Sequence, residues 1–89
     1  MKQIATKLTT SETIMCSRHF RYGLEDVRAG RRPRFDAFAD FADDGLWAYE
    51  RGRLFGFIAP VTMPLRIDGR LNPKAIALFD AACDRNLIR

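Results

Sequence analysis

Histidine is nearly missing from this chain: His19 stands alone, and no serine, cysteine or carboxylate beside it forms a recognisable nucleophile motif. A general base needs a partner to orient it and a pocket to tune it, and 89 residues leave little room for either. Catalysis is not expected. Cysteine is scarce as well. Cys16 and His19 are spaced i, i+3 and would share a helix face, with Cys83 a third donor. A closed zinc site takes four ligands and usually paired cysteines, so no metal and no cofactor is expected. There is no glycine-rich phosphate loop of a known kind. No apolar stretch approaches membrane-spanning length, and no membrane partner is expected. Thr9, Thr10, Ser11 and Glu12 interrupt the residues behind Lys2, so a secretory signal is not expected either. The reading is a cytoplasmic protein with both thiols reduced.

Lysine is sparse where arginine is not. Lys2, Lys7 and Lys74 are the only lysines among 15 basic residues, against 11 acids, for a net charge of +4. Arginine grips phosphate and carboxylate with two parallel donors, so this bias matters more than the net charge. With 47% apolar and 29% charged residues, the chain reads as one folded domain with a modest core.

The expected fold is mainly α, with about three helices and a short β-hairpin near residues 65–71. Thr9 and Glu12 have capping-box spacing, so a helix can start there and continue through Ile14, Met15 and His19; alternatively Ser11–Cys16 is a short strand and Ser17 caps the helix. Either way the residues from Arg18 to Ala29 are helical, with Phe20, Leu24 and Val27 on one face, and Gly30 supplies the left-handed stop before Pro33. The connector carries Phe35, Phe38 and Phe41 among acids, and Asp43 or Asp44 can cap a second helix over 45–58. Trp47, Leu54 and Ile58 form its predicted apolar seam. Ala48, Gly52 and Gly56 recur every fourth residue, which suits close approach of another helix, with Gly23 the natural counterpart; a further reading joins two copies of the chain through that stripe. Asp68-Gly69 is a tight-turn pair, Asn72-Pro73 a helix start, and the last helix runs from Lys74 to about Arg85. Asn86 stops it, letting Leu87 fold back on Phe79 or Cys83.

The chemistry with most weight is the basic turn. Arg28, Arg31, Arg32 and Arg34 converge where the first long helix ends, with Arg18 and Arg21 one or two turns back and Tyr22 and Phe35 among them. Guanidiniums beside stacking rings are ingredients for RNA binding. The competing reading is a solvated surface on which these arginines pair with Glu25, Asp26 and Asp36. The acids Asp36, Asp40, Asp43 and Asp44 could instead dock on a basic protein target.

The pattern FRYGLEDVRAGRRP followed at an interval by LWAYERGRLFG resembles ribosome modulation factor and its relatives among phage and mobile-element proteins. The matching positions are Tyr22, Gly23, Ala29, Gly30, Arg31, Trp47, Gly52 and Arg53, within residues 20–57. The likeness implies a two-helix element that binds RNA of the small ribosomal subunit and silences translation. Arg28, Arg31, Arg32 and Arg34 would then contact RNA, and Trp47 would hold the helices together. The acidic connector from Asp36 to Asp44 would oppose RNA, and the residues from Val61 to Arg89 have no counterpart in that family. The reading from another class is a phage or mobile-element inhibitor, of the anti-CRISPR kind, acting on a protein or ribonucleoprotein.

Overall fold

The computed structural model describes residues 10–34 and 43–88. The expectations for Thr9, for the ring-bearing connector with Asp36 and Asp40, and for the side chains of Asp43 and Asp44 lie outside the described residues. In order, the elements are α1 (Ser11–Cys16), α2 (Arg18–Arg28), α3 (Asp43–Ile58), β1 (Arg66–Ile67), β2 (Arg70–Leu71) and α4 (Pro73–Asp84). The fold is mainly helical with one small antiparallel hairpin, as the sequence predicts.

Hydroxyl caps make the first corner. Thr10 Oγ1 accepts from the Thr13 amide at 3.1 Å, and Ser17 Oγ accepts from the His19 amide at 3.1 Å. Ser17 itself is extended (φ −64°, ψ 137°), so the chain breaks between two helices; residues 11–16 are a helical turn and not a strand, and they do not run on through His19 as one helix. Each cap satisfies an amide that a helix start leaves without a partner.

α2 and α3 cross with their backbones in contact. A Cβ at Gly52 would stand 2.0 Å from the Phe20 carbonyl oxygen, and one at Gly23 would stand 2.1 Å from the Tyr49 carbonyl oxygen. Gly56 lies under Val27 in the same way, at 2.8 Å from its Cβ. Each interior glycine costs about 1 kcal/mol against alanine, and the close approach is what offsets it. The proposed use of Ala48, Gly52 and Gly56 to join two copies is thereby corrected. All three are buried within the chain, and Phe20 and Val27 already fill the space above the glycines.

The core is a three-way meeting of rings, one from each long helix. Phe20, Phe55 and Phe79 have centroids 5.6 to 5.9 Å apart, tilted or edge-to-face, the arrangement that ring quadrupoles favour. Met15, Leu24, Ala59, Ala75, Ala82 and Ile88 close around them. The seam predicted for α3 is displaced. Trp47, Leu54 and Ile58 are half-buried, whereas Tyr49 and Phe55 are fully buried. The reason is that α3 is covered from two directions, by α2 over its glycines and by Phe79 of α4 over Phe55, so one stripe cannot describe its inside.

Asp68 (φ 54°) and Gly69 (φ 79°) form the two left-handed turn residues between Ile67 and Arg70, which face each other across the hairpin. Asn72 then caps α4 by accepting from the Lys74 amide at 3.0 Å and ties back by donating to the Pro64 carbonyl at 3.0 Å. Asn86 (φ 61°) ends α4, but the residue that folds back is Ile88, fully buried, while Leu87 is exposed. The helix-end motif turns the Leu87 amide onto the Ala82 carbonyl at 2.9 Å and delivers the next side chain to the core.

Gly52→Ala and Gly30→Ala separate the two uses of glycine. Gly30 has φ +74° and nothing within 4 Å of its Cβ position, so alanine there should cost about 1 kcal/mol of backbone strain. Alanine at Gly52 meets backbone and should cost at least about 3 kcal/mol. Urea unfolding midpoints measure both; equal losses would contradict the close crossing.

Candidate nucleic-acid interface at the exit of α2

The end of α2 is built by a two-bond motif around Gly30. The Gly30 amide donates to the Val27 carbonyl at 3.0 Å and the Arg31 amide to the Asp26 carbonyl at 2.7 Å. This geometry returns residue 31 to the side of residue 26. The Asp26 side chain is 0% exposed, and the Arg31 guanidinium lands on it, Nη1 donating to Oδ1 at 2.8 Å.

Arg34 completes the clasp with a two-pronged grip. Its Nε donates to Asp26 Oδ2 and its Nη2 to Oδ1, each at 2.8 Å. Tyr49 of α3 donates its hydroxyl to Oδ2 at 2.5 Å and accepts from the Arg34 amide at 2.9 Å. Burial alone would raise the Asp26 carboxyl. The hydrogen bonds from Arg34, Tyr49 and Arg31 outweigh it and hold the group down at about 2. Asp26 thus joins the chain leaving α2 to the body of α3.

The arginines therefore divide into three sets. Arg28 is turned inward, its Nη2 donating to the Met63 carbonyl at 2.7 Å and the Pro60 carbonyl at 3.2 Å. Arg31 and Arg34 are tied to Asp26, yet their side chains stay 54% and 45% exposed. Two guanidiniums on one carboxylate leave a net positive charge at the surface. Arg18, Arg21 and Arg32 are exposed; Arg21 lies 5.8 Å from the Tyr22 ring centroid and pairs loosely with Glu25 at 3.7 Å, a pair of the kind worth little in water. The pairing with Asp26 expected of a solvated surface does form, but around a buried carboxylate. Arg53 of α3 joins the group, its Nη1 donating to the Arg31 carbonyl at 3.4 Å.

Trp47, which the likeness would make the tie between helices, is half-buried under the Arg51 guanidinium, 4.2 Å from its ring centroid. The glycine crossing and the Tyr49–Asp26 bond tie α2 to α3. Arg51 is itself buried and bonds Glu50 at 3.0 Å. Among the described residues no three histidine, cysteine, aspartate or glutamate side chains gather to hold a metal. Cys16 and Cys83 are both free; burial, with Asp80 and Asp84, pushes the Cys83 thiol up. No described helix is long and apolar enough to cross a membrane.

Sequence reasoning named the arginines but not the group that positions them. Asp26 was one pairing acid among several, and Tyr49, Arg53 and Arg51 carried no assignment. One signal was readable: a left-handed Gly30 stop places Arg31 back beside Asp26 by geometry alone. Comparison with known proteins finds no family model, no curated protein and no solved structure that matches the chain.

The Asp26 carboxyl gives a pH test whose sign is fixed. Its folded value, about 2, lies below the ordinary 3.8, so the stability it supplies is present above pH 4 and is lost as pH falls through about 2. The amount is about 2 kcal/mol. Urea unfolding between pH 5 and pH 2 should show that loss in the native chain and a shallower one in Asp26→Asn. Parallel curves would contradict the clasp.

Proposed function

We propose that this chain is a small non-enzymatic RNA-binding regulator, acting on the ribosome or another ribonucleoprotein. The observation that carries the reading is the face at the exit of α2. There Arg31, Arg32, Arg34 and Arg53 outnumber Asp26, and two of the guanidiniums are held half-exposed by that buried carboxylate; Arg21 and, at the start of α2, Arg18 add exposed charge along the helix. A pre-ordered arginine loses less freedom when it meets a phosphate, and its planar fork suits that ligand. The likeness of residues 20–57 to ribosome modulation factor supports the small ribosomal subunit as target and translation as the process silenced.

The test is binding to ribosomal RNA across a salt series. Phosphate contacts release counterions, so log K should fall linearly with log salt. Arg32→Ala should reduce that slope by roughly 1 without moving the unfolding midpoint, because Arg32 is exposed. Arg34→Ala should lower both. Absent binding, or binding indifferent to salt, overturns the reading. Capture of a protein that survives ribonuclease would favour docking on a protein target in its place.

A further inference from the structure

Phe57 is the feature the arginine face leaves unexplained. It is the penultimate residue of α3 and is 70% exposed. A large ring in water contributes little to folding, and a single exposed one is ordinary on a protein surface. What sets this one apart is its neighbour. Arg53, one turn earlier, sets its guanidinium 5.8 Å from the Phe57 ring centroid and donates Nη1 to the Arg31 carbonyl. The open ring is therefore joined, through one arginine, to the basic turn at residues 31–34.

We propose that Phe57 is a stacking platform for an unpaired base, and that the RNA bound by this face is single-stranded at that point. This rests on the RNA-binding reading and narrows it. A duplex hides the faces of its bases, whereas a single strand offers a ring to stack on and phosphates to grip within a few ångströms. The Arg53 guanidinium, set over one face of the ring, carries charge toward a strand whose base would stack on the other. An apolar protein segment would gain from the bare ring but would have no use for the cations flanking it.

The probe is oligouridylate of about a dozen nucleotides, set against an RNA duplex of equal length, at one salt concentration. The native chain should bind the single strand more tightly. Phe57→Ala should weaken that binding by at least about fivefold, leave the unfolding midpoint in place and leave duplex binding unchanged. Phe57→Trp should retain affinity, while Phe57→Leu should lose it, since leucine keeps apolar area but has no π-face. Equal affinity for the two forms, or full binding by Phe57→Leu, overturns the stacking role while the RNA reading stands. No binding to either RNA removes both.

Discussion

Two carbonyl groups resting where side chains would ordinarily be are the constraint from which the rest follows. Phe20 and Tyr49 place their backbone oxygens against Gly52 and Gly23, so α2 and α3 lie as near as backbones allow. At that separation Phe20 meets Phe55, and Tyr49 enters the interface with its hydroxyl on Asp26. A helix pair one side chain further apart would leave the Asp26 carboxylate buried and without that donor. Such a group would cost more than its pairing returns.

The charge arrangement follows from this. A buried carboxylate is tolerable only when its oxygens are satisfied, and Asp26 achieves this with the hydroxyl of Tyr49 and the guanidiniums of Arg31 and Arg34. The same bonds fix residues 31–34 as they leave α2. Stability and display are thus coupled: the interaction that keeps the helices together also keeps two arginines at the surface. Arg28 holds the turn at Pro60–Met63 in similar fashion, through carbonyls. Arg18, Arg21 and Arg32 are exposed and take no part in this clasp.

Much of the frame was legible because it rests on local chemistry. Gly30, Asp68-Gly69, Asn72-Pro73 and Ser17 each act within a few residues, and the structure uses them as stop, turn and caps. The pairing of Gly23 with the α3 glycines was legible too, since spaced glycines in a helix call for a compensating contact. What the sequence did not disclose depends on three-dimensional cover. Tyr49 and Phe55 are inside because α3 is flanked from two directions, which spacing along one helix does not reveal. Ile88 replaces Leu87 in the core because a helix-end motif rotates the chain by one residue. Asp26 looks like any surface acid until Tyr49 is known to lie over it, and Phe57 looks like core until its side of α3 is known to be open.

The crossing can be observed directly in solution by nuclear Overhauser spectroscopy on the labelled protein. The Cβ direction of Gly23 points to within 2.8 Å of the Arg53 nitrogen, and that of Gly52 to within 3.0 Å of the Phe20 Cα. Strong cross-peaks from Gly23 Hα to the Arg53 amide proton, and from Gly52 Hα to Phe20 Hα, are the predicted result. Their absence from a spectrum that otherwise reports the folded helices would contradict the account.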